Sequence, residues 1–129
     1  MQYICDTNFI VRYLVTDNQE MFAKANEIFD QVKIGKITLI IEQAVFMEVV
    51  FVLTSVYLVP KTQIVETLSE LMTYKGVISD KELLLRSLDF YRDYNLHIVD
   101  CLLMAKAVVG NTPILSFDQK LNNTIKKYM

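Results

Sequence analysis

The sequence predicts an α/β protein with a short central parallel sheet covered by helices. Short apolar runs that suit buried strands alternate along the chain with longer helical segments, which is the order expected when parallel strands are joined by helices. The 129 residues are 53% apolar, so a substantial core can form. With three Gly, two Pro and no internal repeat, the chain offers no linker, and we expect one domain over residues 1–129.

The first part of the chain is predicted to contain two strands and two helices. Residues 2–6 are a short apolar run that ends at an acidic side chain, which indicates a strand. Helices over 8–15 and 18–34 follow, because apolar side chains recur there every three or four residues. Gly35 ends the second of these helices, and the apolar residues 38–41 form the next strand.

Helices dominate the middle of the chain. Residues 43–59 are apolar almost throughout and predict a buried helix, which Pro60 ends. The same proline opens another helix that extends to about residue 74. Residues 77–78 are too few to assign firmly, and Asp80 is a suitable N-cap for a helix that reaches about residue 94.

The last predicted elements are a helix over 100–110 and a strand over 113–117. In a parallel sheet, ligands collect beyond the carboxyl ends of the strands. Asp6 and Asp118 each follow a predicted strand at that end. We therefore expect both side chains at the same edge of the sheet.

Four acidic side chains end or interrupt apolar segments, where a carboxylate is costly to bury. They are Asp6, Glu48, Asp100 and Asp118. No Lys or Arg lies within three residues of the first three, whereas Lys120 lies two residues from Asp118. Because an isolated carboxylate out of water must pair or be neutralised, one shared divalent cation would satisfy all four. Oxygen ligands of this kind favour Mg²⁺ or Mn²⁺.

Each of these acids also has a structural interpretation. Asp100 and Asp118 are candidate helix N-caps, and Asp6 is a candidate turn residue. The neighbours of Glu48 one helical turn away are all apolar, so no helical salt bridge is open to it. A buried glutamate that hydrogen-bonds to the backbone is the remaining alternative for that position.

The net charge of the chain is slightly negative, but it becomes slightly positive when the four acids are left out of the count. The chain has 13 Lys and Arg against 15 Asp and Glu, a net charge of −2, and without the four acids the balance is 13 − 11 = +2. The candidate phosphate contacts are Arg12, Lys36, Lys106, Lys120, Lys126 and Lys127. Scattered surface lysines also serve solubility, so we expect only modest affinity for bulk nucleic acid.

The cysteines and the N-terminus indicate a cytoplasmic protein. Cys5 and Cys101 are far apart and lack zinc-ligand spacing, which predicts buried, reduced side chains. Nothing at the N-terminus resembles a signal peptide. The apolar segment Ala44 to Val59 is too short to span a membrane, and Glu48 within it would add a further cost.

Four segments together resemble the motifs of the PIN-domain family. They are Asp6-Thr7-Asn8 after the first strand, residues 41–53 around Glu48, Asp100 to Ala105, and Ser116-Phe117-Asp118. Any one of these motifs is weak by itself. Their order and spacing over residues 1 to about 122 make the set specific, and the VapC-like toxins are the most similar subgroup.

The resemblance implies a PIN-like α/β/α sandwich and a metal-dependent endoribonuclease, the toxin of a type II toxin–antitoxin pair. It assigns the catalytic metal ligands to Asp6, Glu48, Asp100 and Asp118, which would bind Mg²⁺ or Mn²⁺, and the supporting polar roles to Thr7, Asn8 and Ser116. It also implies an RNA substrate, a homodimer and a cognate antitoxin protein.

The chain departs from the family pattern in two places. It stops soon after the fourth motif, which leaves little room for the final edge strand that relatives often have. His97 stands where many relatives carry an acid or an apolar residue, and a lone histidine is more often structural than functional.

Functions of other classes are weighed against this resemblance. A haloacid-dehalogenase-like phosphatase needs a second acid two residues after Asp6, where this chain has Asn8. A receiver-like phosphoacceptor needs an acidic pair near the first strand and a lysine after the last one, and neither is clear. The stronger rival is a catalytically idle PIN fold that serves as an RNA-binding or scaffold module. The presence of all four acids argues against it.

Overall fold

Three short parallel strands form the sheet of this protein. The computed structural model describes all of residues 1–129. Strands β1 (Gln2–Ile4), β2 (Thr38–Ile40) and β3 (Val77–Ile78) lie in the order β1-β2-β3. Tyr3 lies opposite Leu39, which in turn lies opposite Val77. The predicted α/β class with a short parallel sheet is confirmed, and the two-residue segment that the sequence leaves unassigned is its third strand.

Seven helices accompany the sheet. They are α1 (Thr7–Leu14), α2 (Gln19–Lys33), α3 (Gln43–Ser55), α4 (Lys61–Leu71), α5 (Lys81–Asp93), α6 (Ile98–Gly110) and α7 (Gln119–Ile125). The chain divides into two compact units, Met1–Lys81 and Glu82–Met129. The first contains the sheet and the first four helices, and the second contains nearly all of α5 together with α6 and α7. None of the helices combines the length and apolar character that crossing a lipid bilayer requires.

Local sequence signals account for several helix boundaries. The Asn18 side chain caps α2 by accepting a hydrogen bond from the Met21 amide at 3.0 Å. Gly35 follows that helix with a φ of 81°, a conformation that glycine adopts without steric cost. Pro60 precedes α4, where its missing amide removes no helical hydrogen bond. Asn111 ends α6 in the left-handed conformation.

The core of the first unit includes the buried ring of Phe29, which contacts two half-buried tyrosines. Phe29 of α2 stacks on Tyr13 of α1 with ring centroids 4.1 Å apart, and it meets Tyr74 edge to face. The hydroxyl oxygens of Tyr13 and Tyr74 are 2.7 Å apart. Burial, followed by this hydrogen bond, raises the pKa of the Tyr74 hydroxyl. These contacts join the first two helices to the turn before β3.

Gly76 allows the backbone to pass very close to two neighbouring segments. Its amide donates to the Val32 carbonyl at 2.8 Å, and its carbonyl accepts from the Leu39 amide at 2.8 Å. A Cβ atom at this position would lie only 2.1 Å from the Ile37 carbonyl oxygen. The close approach therefore requires glycine.

The second unit has a core of its own. Its fully buried side chains include Leu84 and Leu88 of α5, Met104 of α6 and Leu121 of α7. Three aromatic residues of this unit contact one another. Phe90 meets Tyr128 edge to face, and the hydroxyl oxygens of Tyr94 and Tyr128 lie 2.5 Å apart. This hydrogen bond is the main cause that raises the pKa of Tyr128 to about 12.

Two predictions about the elements are wrong. Residues 113–117 form no strand, because no neighbouring strand pairs with them, and the side chains of Leu115 and Phe117 are fully exposed. The predicted helix over 43–59 ends at Ser55, and Leu58 beyond it has a positive φ of 53°. An apolar run alone therefore determines neither a strand nor the length of a helix.

Candidate metal centre

Asp6 lies just beyond the carboxyl end of β1 and caps helix α1. Its Oδ1 atom accepts a hydrogen bond from the Phe9 amide at 2.9 Å, and its Oδ2 atom has no protein partner. The preceding residue is held in place because the Cys5 amide donates to the Ile40 carbonyl at 3.0 Å. Burial, with a smaller contribution from the charge of Asp6, raises the pKa of the Cys5 thiol to about 12. The aspartate is thus fixed from both sides while half of its carboxylate stays available.

The expectation of a carboxylate buried at a cost is wrong for Asp6, Glu48 and Asp118, which are all exposed. Glu48 lies near the middle of α3. It shares the outward face of the helix with Ala44, Phe51 and Ser55, all of which are exposed. The helix instead buries the opposite side, including Phe46 and Val50. Glu48 makes no hydrogen bond or ion pair in the structure, so its carboxylate is free to bind a ligand.

Asp100 is the third residue of α6 and does not cap it, so the N-cap interpretation is wrong. The cap position belongs to His97, whose side chain makes no capping hydrogen bond. Asp100 is half-buried and lies in the first turn, where the positive end of the helix dipole stabilises a negative charge.

Asp118 caps α7 much as Asp6 caps α1, although it follows no strand and so is not placed at the end of one as predicted. Its Oδ1 atom accepts from the Leu121 amide at 3.1 Å, and its Oδ2 atom has no protein partner. The N-cap interpretation is confirmed here. The backbone amide of Asp118 donates to Ser116 Oγ at 2.9 Å. The Ser116 carbonyl accepts from Asn122 Nδ2 at 2.8 Å. Sequence reasoning identifies the serine but misses Asn122, four residues after the cap.

The other two supporting residues lie at the start of α1. Thr7 is half-buried and Asn8 is exposed, and neither side chain makes a hydrogen bond in the structure. Their supporting role stays a prediction.

The donor chemistry of the four acids suits a hard divalent cation. The ion pairs of the structure involve Asp17, Asp30, Asp89 and Asp93, so none of the four candidate acids is neutralised by Lys or Arg. Carboxylate oxygens without a cationic partner are the ligands that Mg²⁺ and Mn²⁺ prefer. No group of three or more His, Cys, Asp or Glu side chains is close enough in the structure to hold a metal ion. The four-acid metal site therefore stays a prediction.

A comparison with protein families identifies the fold. The model of the PIN domain matches residues 3–127, which is nearly the whole chain. The chain belongs to the PIN-domain family. The match runs through both units of this PIN-domain protein, and all four candidate acids lie within the matched range. No curated protein and no solved structure matches the chain significantly. PIN domains are a nuclease-type fold that typically uses divalent metals, which gives the four carboxylates a chemical context.

Substitutions of Asp6 and Asp118 can separate the effect of the capping hydrogen bond from the effect of the negative charge. Asparagine caps helices as well as aspartate does, so Asp6→Asn and Asp118→Asn should leave the free energy of unfolding nearly unchanged. Asp6→Ala and Asp118→Ala should each lower it by about 1 kcal/mol, because a helix amide loses its acceptor. Urea denaturation measures both effects. Asp30→Ala, which removes no cap, is the control, and equal losses from the Asn and Ala variants would show that the cap contributes nothing.

Proposed function

We propose that this protein is a metal-dependent endoribonuclease that hydrolyses phosphodiester bonds of RNA. Asp6, Glu48, Asp100 and Asp118 are its catalytic acids and hold Mg²⁺ or Mn²⁺. The observation that supports the proposal is that the PIN-domain match covers the stretch in which all four acids lie, and that none of the four is in an ion pair. Two of the four are also fixed by helix caps that leave one oxygen available.

The proposed chemistry depends on negative charges that act on a shared cation. Carboxylates that share a cleft repel one another, and this repulsion favours the binding of a cation. A bound divalent ion supplies a more acidic water and stabilises negative charge on the phosphate oxygens. The protein contributes the ligands and their orientation, with Thr7, Asn8 and Ser116 as polar supports. Outside the four acids the chain carries a balance of 13 − 11 = +2, which permits contact with an RNA backbone.

We further propose that the protein is a VapC-like toxin of a type II toxin–antitoxin pair and acts in the cytoplasm as a homodimer. Large apolar side chains on and after α3 support an interface, since Phe51, Val56 and Leu58 are 63%, 65% and 78% exposed. Two cysteines without a disulfide agree with a reducing compartment. A cognate antitoxin would hold the enzyme inactive until it is released.

Metal binding is the first prediction of the proposed function. Calorimetric titration of Mn²⁺ should show binding to the wild-type protein and a loss of at least about tenfold in affinity for Asp6→Asn/Asp100→Asn, because two ligand charges are removed. The control is Asp30→Asn/Asp89→Asn, which removes the same charge from exposed positions in α2 and α5. Equal affinities of the two double variants would refute the assignment of the metal ligands.

Cleavage of RNA is the second prediction. Total RNA incubated with the protein and Mg²⁺ or Mn²⁺ should give discrete fragments on a sequencing gel, and a chelator should stop the reaction. Glu48→Gln should slow cleavage by about 100-fold or more, as expected for a group that acts in the transition state. Glu42→Gln, an exposed glutamate at the cap position of the same helix, is the matched control. Binding of RNA without cleavage by the wild-type protein would instead support an idle RNA-binding module.

Self-association is the third prediction. Light scattering after size exclusion should give twice the chain mass of 15.0 kDa, and Phe51→Asp should give the monomer, because a charge would be buried in the interface. Ile34→Asp places the same charge on an exposed apolar residue at the end of α2 and should leave the dimer intact. A monomeric wild-type protein at a concentration of tens of micromolar would rule out the dimer.

A further inference from the structure

The segment that precedes Asp118 makes few hydrogen bonds. Residues 113–117 form no strand, and the side chains of Leu115 and Phe117 point fully into solvent. Ser116 alone makes hydrogen bonds within this stretch. Its hydroxyl accepts from the Asp118 amide, and its carbonyl accepts from Asn122 Nδ2 at 2.8 Å. One side chain of α7 therefore ties the segment before Asp118 to that helix.

We propose that Asn122 is a positioning residue for Asp118, an inference that rests on the proposed metal-dependent function. Its side chain is anchored at the end of the first turn of α7 and reaches back to the Ser116 carbonyl, while the Asp118 carboxylate caps the same turn. The serine is thereby tied to α7 on one side and to the Asp118 amide on the other. These three hydrogen bonds hold the backbone before and after Asp118. They thereby keep the second carboxylate oxygen of Asp118 in one orientation.

Two properties of the amide suit this role. The Asn122 NH₂ group is a donor at every pH of interest, so the contact does not depend on protonation. An aspartate in its place would present oxygen to the Ser116 carbonyl and lose the hydrogen bond. Metal ligands that are held by such outer contacts lose affinity when the contact is removed, because the ligand must then be ordered during binding.

The test begins with the metal-free protein. Hydrogen exchange measured by NMR should accelerate at the Asp118 and Leu121 amides by about fivefold in Asn122→Ala, because both amides donate within the set that Asn122 holds. Asn123→Ala is the matched control, since Asn123 is the exposed neighbour on the same helix and makes no hydrogen bond through its side chain. Unchanged exchange in Asn122→Ala would overturn the proposal.

Calorimetric Mn²⁺ titration then separates positioning from simple structural support. Asn122→Ala should weaken Mn²⁺ binding by about tenfold, and Asn123→Ala should not. Ser116→Ala combined with Asn122→Ala should weaken it little more than the stronger single variant, because the two residues act through one set of bonds. A lower melting temperature with unchanged Mn²⁺ affinity would assign Asn122 a structural role and overturn the proposal. If the wild-type protein binds no Mn²⁺, the proposed function fails, while the exchange result still decides whether Asn122 holds Asp118.

Discussion

A hydrogen bond from a helix amide to one oxygen of an aspartate is the interaction on which the candidate site depends. It occurs at both Asp6 and Asp118. Each bond satisfies an amide that the helix leaves unpaired and places a negative charge at the positive end of the helix dipole. The carboxylate is thereby held in one orientation, and its other oxygen remains available. The fold and the proposed chemistry use the same side chain at these two positions.

Local signals explain the part of the structure that the sequence predicts well. Helix α2 follows from apolar side chains at three-to-four spacing, and its ends follow from an asparagine cap and Gly35. The parallel sheet follows from short apolar runs that alternate with helices. The cap at Asp118 is one of two interpretations of that residue, and the residue type and the start of a helix are sufficient to suggest it.

Non-local packing explains the errors. Glu48 has apolar neighbours in sequence, yet its side of α3 is exposed, because burial is decided by what packs against a helix face. Residues 113–117 have a strand-like composition, but a strand also needs a partner. Asn122 escapes sequence reasoning because a side-chain amide that reaches a carbonyl six residues earlier has no periodic signature. An asparagine one turn after a capping aspartate is the signal that could have directed attention to it.

The close approach at Gly76 bears on how sequence variation in this protein should be interpreted. Any side chain at that position would collide with the Ile37 carbonyl, so glycine is required by packing alone. A constant glycine there among relatives would carry no information about catalysis. A constant aspartate at position 6 would carry such information, because asparagine would cap the helix equally well. Relatives that keep aspartate there and avoid asparagine would reveal selection for the negative charge itself.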